Sequence, residues 1–428
     1  MIRLLADENI LGLDRLPASE VSVRVKPGRQ ITRADLDAVD ALWVRSVTPV
    51  DADLIYDAPL KFVGSATAGY EHVDAGFLER RGIPFFSAPG SNANAVVEYV
   101  IAAILSLEEH WSRLEKGGLL GIVGFGHVGQ RLAEVANALG WRWLAYDPWK
   151  FQPTVAGESV PGATTHPAAT FDQVLDADVI SVHCSLTDEQ PWPSRHLFTG
   201  SVFDRLGSHQ LIINAARGEV FDWLALPERL ARAECPKLVL DVWNSEPDID
   251  TSLLTHSAIA VATPHIAGYS VDAKLKATAM LWDRMAEIGL ARGPLGSPAA
   301  QQIAKRSSVG SGPGTSPSGR QASQDLEAFY TSADVMSSVY SIAQDDAALR
   351  SAMRPETSSD ECDRILKADG GLRKDSQQET NPGERFDRLR KNYPMRRELA
   401  AVQIADVALK TDEARRFYKA VSQSATMV

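Results

Sequence analysis

Three side chains able to move a proton or grip an anion stand in segments of similar make: Arg217 in LIINAARGEVFD, Glu246 in LVLDVWNSEPD and His265 in VATPHIAGYS. Each follows a short apolar run that reads as a strand. Imidazole titrates near neutrality, so His265 could serve as a general base. A carboxylate such as Glu246 on the other ring nitrogen would fix the tautomer and stabilise the imidazolium. Arg217 offers a permanently charged fork for a carboxylate ligand. In an open parallel sheet the carboxyl ends of successive strands face one crevice, so residues far apart in sequence converge there. The same residues also fit a bland arrangement, with Arg217 and Glu246 as a structural ion pair and His265 at a capped strand end. The residues alone do not choose between the two.

Upstream, GIVGFGHVGQRLAEVANALG sets Gly124, Gly126 and Gly129 between an apolar strand and an amphipathic helix. In this G-x-G-x-x-G spacing the first glycine allows a tight turn and the second lets a pyrophosphate approach the backbone. The third lets helix pack on strand, and the helix N-terminus offers its N–H groups to phosphate. The next strand, WRWLAYD, ends in Asp147, eighteen residues past Gly129. A carboxylate there accepts hydrogen bonds from ribose hydroxyls and repels a 2′-phosphate, so NAD is expected in preference to NADP. Asp241 is expected near the nicotinamide end. His183 and Cys184, closing ADVISVHC, are expected only to line the cleft, and Trp43, Trp141 and Trp143 to pack.

The elements that must position these groups form a rhythm of strand and helix. IRLLAD, VSVRV, ALWVRS, LKFVGSA and IPFFSA are strand-like, and after a long apolar helix near 95–110 the pattern restarts at GLLGIVGFGHVG and runs to IAVATPH. That alternation predicts two consecutive parallel α/β units. From about 292 to 324 Gly, Ser and Pro replace apolar periodicity, which marks a linker or loop; DLEAFYTSADVMSSVYSIAQDDAALR then looks helical, and 351–384 is polar and broken. At 428 residues with 44% hydrophobic content, two or three domains are expected. A net charge of −11 argues against nucleic acid or an anionic membrane as partner. Three cysteines without C-x-x-C spacing suggest neither disulfides nor a metal site. Asp7 and Glu8 interrupt the N-terminus before a leader's apolar core could form, and no segment reads as a membrane span, so a cytoplasmic protein is expected.

The series GIVGFGHVG, NAARGEVFD, DVWNSEP and TPHIAG, in that order, resembles the D-isomer-specific 2-hydroxyacid dehydrogenases over residues 1 to about 290. The resemblance implies two Rossmann-like, doubly wound α/β domains. Residues 1–100, completed by about 269–290, would form the substrate domain and 101–268 the NAD domain, with 291–324 a linker or loop. A small C-terminal dimerisation domain at 325–428, with apolar faces carrying Leu326, Phe329, Val335 and Val339, would then make a homodimer. It further implies NAD as cofactor, no metal, and Arg217, Glu246 and His265 as the catalytic set that oxidises a 2-hydroxy acid at C2. Ala215, Ala216 and Gly268 would join the glycine loop, Asp147 and Asp241 at the cofactor. LADEN, ATAGYEHVD, APGSNANAVVEYV and FDRLRKNYPMRRE narrow the resemblance to members acting on a small phosphorylated 2-hydroxy acid. Arg45, Ser46, Thr67 and Tyr269 are the expected substrate contacts. The basic cluster at 388–398 suggests that Arg396 or Arg397 reaches the substrate phosphate in a partner subunit. Two other readings stand beside this one: a 3-phosphoglycerate dehydrogenase, which shares the VRS-T stretch near residue 45, and a non-catalytic NAD-sensing protein on the same scaffold.

Overall fold

The computed structural model describes residues 1–151, 168–295, 336, 340–353, 381–391, 393, 395–399 and 411–422. Residues 296–324 of the linker or loop expected at 291–324, the apolar positions Leu326, Phe329, Val335 and Val339, and residues 354–380 of the polar insertion lie outside them. The chain forms two compact units, Met1–Ala93 with Tyr269–Gly312, and Asn94–Gly268 with Pro313–Val428.

The first unit is built on five parallel strands, β1 (Ile2–Asp7), β2 (Val21–Lys26), β3 (Ala41–Val44), β4 (Phe62–Ser65) and β5 (Phe85–Ser87), in the order β2-β1-β3-β4-β5. β3 and β4 are buried on both faces, so they read as unbroken apolar runs rather than alternating ones. Helix Val271–Glu287 covers one face, its Leu281, Trp282 and Met285 packing with Leu4, Trp43 and Phe62. Ser270 caps it, its side chain accepting the Ala273 N–H at 2.9 Å. Leu36, Ile55 and Leu78 fill the core on the other face.

The second unit carries six parallel strands, β6 (Leu119–Val123), β7 (Arg142–Tyr146), β8 (Val179–Val182), β9 (Leu211–Asn214), β10 (Lys237–Leu240) and β11 (Ile259–Ala262). Their order is β11-β10-β9-β8-β6-β7, so the winding reverses at β6 and a ligand crevice is expected at its carboxyl end. β11 is an edge strand, and helix Ile342–Ala352 lies along it. Asp346 accepts the Ala262 N–H at 2.8 Å, while Arg350 donates to the Ile259 carbonyl at 2.8 Å and to that of Leu254. Backbone groups that an open edge would offer to another chain are thereby taken up. Two more C-terminal helices are described, Pro382–Lys391 and Asp412–Ser422. Leu349, Met353, Phe386 and Leu389 belong to the same core as β8, β9 and β10, and Arg131 of helix His127–Leu139 donates to the Val421 carbonyl at 2.8 Å.

Candidate active site

The glycine loop follows β6 directly. Gly124 has φ +91° and a Cβ there would overlap the backbone of His183 and Cys184, while a Cβ on Gly129 would overlap the Gly124 carbonyl. Only Gly126 faces open space, with nothing within 4 Å of where its Cβ would be. The loop is thus packed tight at its first and third glycines and bare at the second, where helix His127–Leu139 begins. That is the shape a pyrophosphate requires. Asp147, one residue past β7, accepts the Phe125 N–H at 2.8 Å through one carboxylate oxygen. The other oxygen takes the N–H groups of Trp149 and Lys150 at 3.2 Å. It stands beside the loop and also ties it to β7, a second task the spacing did not reveal. Burial pushes the His183 imidazole down to about 3 and the Cys184 thiol up to about 12, which favours the neutral form of both.

Arg217, Glu246 and His265 follow β9, β10 and β11, three neighbours in the sheet. Their loops interlock through close approach. A side chain at Gly218 would run into the Trp243 carbonyl, so only glycine lets the Arg217 loop pass this near to the Glu246 segment. Trp243 Nε1 in turn donates to the Thr263 carbonyl at 2.9 Å, fastening the Glu246 segment to the histidine turn. Asn214 secures the arginine loop, accepting the Ala216 N–H at 3.1 Å and donating to the Arg217 carbonyl at 3.0 Å. Arg217 donates to the Ala216 carbonyl at 2.7 Å.

Beneath the histidine turn lies Asp241, 1% exposed. Its carboxylate accepts the Thr263 hydroxyl at 2.7 Å and the N–H groups of Ile266 and Ala267 at 2.8 and 3.0 Å, and its carbonyl accepts the His265 N–H at 2.7 Å. This network holds His265 at φ +57°, a left-handed conformation that a non-glycine residue adopts only when its surroundings enforce it. Asp241 was expected at the nicotinamide end; the hydrogen bonds found for it run into the turn that aims the imidazole. Gly268 follows directly on that turn. His265 Nδ1 and Glu246 Oε2 are 2.7 Å apart, and Glu246 Oε1 accepts the Trp243 N–H at 2.8 Å. Burial pushes the Glu246 carboxyl up, but His265, Arg390 and the Trp243 N–H outweigh it and leave the group below its ordinary range. An ionised Glu246 accepts the Nδ1 proton and so leaves Nε2 as the free base position.

The expected substrate contacts lie in the first unit. Arg45 is half-buried just after β3 and Ser46 is exposed. The Thr67 hydroxyl donates to the Gly69 carbonyl at 2.8 Å and pairs with Ser65 Oγ at 2.6 Å. The Tyr269 ring lies under Lys274, whose Nζ is 4.9 Å from its centroid. Lys274 was not singled out from sequence, where it is one of two lysines on its helix. Burial, and then Arg45, push its ammonium down to about 8 against the opposing pull of Asp7.

Two arginines of the C-terminal cluster have a definite place. Arg390 Nη1 stands 3.7 Å from Glu246 Oε2. Arg396 corrects an expectation. It is buried against Glu98 at 2.8 Å, both side chains 1% exposed, and donates to the carbonyls of Ala95 and Ala267, so it cannot extend to a ligand. A buried carboxylate such as Glu98 needs a cation, and Arg396 meets that need. Arg397 is half-buried.

Comparison with known proteins accords with this geometry. Residues 107–267 match the NAD-binding domain of the D-isomer specific 2-hydroxyacid dehydrogenases, and 319–417 match a domain of unknown function. The erythronate-4-phosphate dehydrogenase of Salinibacter ruber is 38% identical over 89% of this chain and 94% of its own length. The chain belongs to the erythronate-4-phosphate dehydrogenase family. Pseudomonas aeruginosa has a member 36% identical over 94% of this chain and 95% of its own. As a member of that family the protein is an NAD-dependent oxidoreductase of the 2-hydroxyacid dehydrogenase type. Solved structures share the fold: the TT0316 protein of Thermus thermophilus has a TM-score of 0.55 at 24% identity, covering 67% of this chain and 97% of that one. The D-lactate dehydrogenase of Aquifex aeolicus, complexed with NAD and lactic acid, has a TM-score of 0.51 at 20% identity, covering 70% and 97%. Among the described residues no helix is long and apolar enough to cross a membrane, and no cluster of metal-ligating side chains occurs.

Proposed function

We propose that the protein oxidises 4-phospho-D-erythronate at C2 to 2-oxo-3-hydroxy-4-phosphobutanoate, a step towards pyridoxal 5′-phosphate. The observation that carries this reading is the His265–Glu246 pair, 2.7 Å from Nδ1 to Oε2, in a chain 38% identical to an erythronate-4-phosphate dehydrogenase. NAD, when bound, supplies the acceptor for the hydride that leaves C2. His265 Nε2 takes the hydroxyl proton as the alcohol becomes a ketone, and Glu246 stabilises the resulting imidazolium. Arg217 holds the substrate carboxylate and polarises the C2 oxygen. Gly124, Gly126, Gly129 and Asp147 hold the adenosine diphosphate part of the cofactor, with Ala215, Ala216, Asp241 and Gly268 at its nicotinamide end.

For the phosphate we propose Arg45, Ser46, Thr67 and Tyr269, and add Lys274. A dianion calls for more than one cation, and the mutual repulsion of Lys274 and Arg45 supports such a task. We also propose a cytoplasmic homodimer in which Arg397 reaches the substrate bound by the neighbouring subunit. An absorbance screen for NADH formation from phosphorylated and unphosphorylated 2-hydroxy acids tests the reading. The highest kcat/KM is expected with 4-phospho-D-erythronate. Faster turnover of 3-phosphoglycerate or an unphosphorylated acid would overturn the substrate. NAD binding without turnover of any of them would point to a binding protein instead.

A further inference from the structure

Helix Pro382–Lys391 contributes a charge to the catalytic pair from a segment that the family match leaves without a function. Arg390 Nη1 lies 3.7 Å from Glu246 Oε2, the oxygen that also faces His265 Nδ1 at 2.7 Å. The separation from Arg390 exceeds a hydrogen bond, so the guanidinium acts on Glu246 by charge, as an ion pair. Its side chain is 20% exposed and that of Glu246 16%, which limits screening by solvent. The helix is fixed in place: Phe386 and Leu389 are buried in the core of the sheet that carries Glu246, and the Arg390 guanidinium lies 6.0 Å from the Phe386 ring centroid. Among the described residues, the charges acting on the pair include Arg390 on this helix, Glu246 and Asp241 after β10, and His265 after β11, with Asp241 engaged by the turn.

We infer that Arg390 is a positioning residue, delivered by the C-terminal segment, which holds Glu246 as a carboxylate aimed at His265. Its charge works against the upward push that burial exerts on the Glu246 carboxyl. The inference rests on the reading of His265 as the base, and it gives this C-terminal segment a role in the chemistry of its own subunit.

The test is the pH dependence of kcat/KM in the full-length enzyme carrying Arg390→Gln or Arg390→Lys. Removing the cation lets Glu246 protonate more readily and lets the imidazolium form at higher pH. Both effects move the acid limb upward, by about half a pH unit, with a loss of about tenfold in kcat/KM. Arg390→Lys should restore the limb, and NAD affinity should stay within about twofold in both variants. In the double variant Glu246→Gln/Arg390→Gln the loss should be no greater than in Glu246→Gln alone, because the residue acts through Glu246. An unmoved limb in Arg390→Gln, or losses that multiply in the double variant, would overturn the inference. If Arg390→Gln fails to bind NAD, Arg390→Lys decides: a limb restored to the wild-type position supports the inference, and a limb displaced upward as far as that expected for Arg390→Gln overturns it. Failure of the underlying reading looks different, since His265→Asn would then keep turnover whatever stands at position 390.

Discussion

Replacing Glu246 by glutamine keeps the size of the side chain and removes its capacity to accept two hydrogen bonds from two directions. Oε1 accepts the Trp243 N–H at 2.8 Å and Oε2 the His265 Nδ1–H at 2.7 Å. A glutamine has one acceptor oxygen and one donor nitrogen. With its oxygen towards Trp243, the amide NH2 faces Nδ1 and drives the ring proton to Nε2, where the base must be free. With its oxygen towards His265, the NH2 opposes the Trp243 N–H and leaves a buried donor unmet, at about 1–3 kcal/mol. In either orientation the imidazolium loses its counter-charge. A hydrogen bond to a charged partner contributes about 1.5–3 kcal/mol, or about 10- to 150-fold in rate. The tautomer penalty adds to this, so kcat should fall by about 100-fold or more. Without the carboxylate the imidazole releases its proton more readily, so the neutral base persists to lower pH and the acid limb of kcat/KM moves down, opposite in sign to Arg390→Gln. NADH formation followed across the pH range at saturating NAD gives both numbers. A fall of less than about threefold, or a limb that stays put or rises, would refute the pairing as a catalytic device.

His265→Asn should abolish turnover while NAD binding, read by fluorescence or calorimetry, stays within about threefold; measurable turnover above about 1% of the original rate would remove the imidazole as base. Asp147 should confer a strong preference for NAD over NADP, and Asp147→Asn should narrow the ratio of kcat/KM values; equal efficiency with both cofactors in the unaltered enzyme would contradict the assignment. Lys274→Met should raise KM for the phosphorylated substrate by about tenfold with NAD affinity unchanged. Because burial and Arg45 push the Lys274 ammonium down to about 8, kcat/KM of the unaltered enzyme should decline as pH rises through that value, and Lys274→Met should flatten the decline. A KM unmoved by the substitution would take Lys274 out of the site.

What sequence reading could reach was whatever is written locally. Strands buried on both faces announce themselves as apolar runs, and the glycines at 124, 126 and 129 as spacing. Arg217, Glu246 and His265 could be brought together from sequence because each follows such a run and parallel strands collect their ends; their reading as one catalytic set came from the order of the family's motifs. Asp241 was found as well, but not its hold on the histidine turn, because nothing near it in the chain says that three donors more than twenty residues away will close on one carboxylate. The arginines of RLRKNYPMRRE were recognised as part of the family resemblance and as a surplus of charge, from which Arg396 or Arg397 was expected at the substrate phosphate. Arg390 and Arg396 are alike in composition and six residues apart, yet one meets Glu246 and the other Glu98. Those partners are set by how a distant helix docks, and no local pattern encodes it. Lys274 escaped for the same reason: its burial beside Arg45 arises only once the first turn of its helix is packed.

The fastening of β11 by Asp346 and Arg350 also has a bearing on how the chain must be made. Ala262 and Asp346 are 84 residues apart, so the strand just before His265 is synthesised well ahead of the groups that take up its outer hydrogen-bonding positions. At about 5–20 residues per second, a ribosome leaves that edge unguarded for about 4–17 s in each copy. During that interval the nascent chain presents a template on which a second nascent chain could add a strand. Shortened forms ending before residue 342 would retain that hazard permanently, and expressing such forms should yield aggregation in step with their ribosome density rather than a soluble two-sheet enzyme.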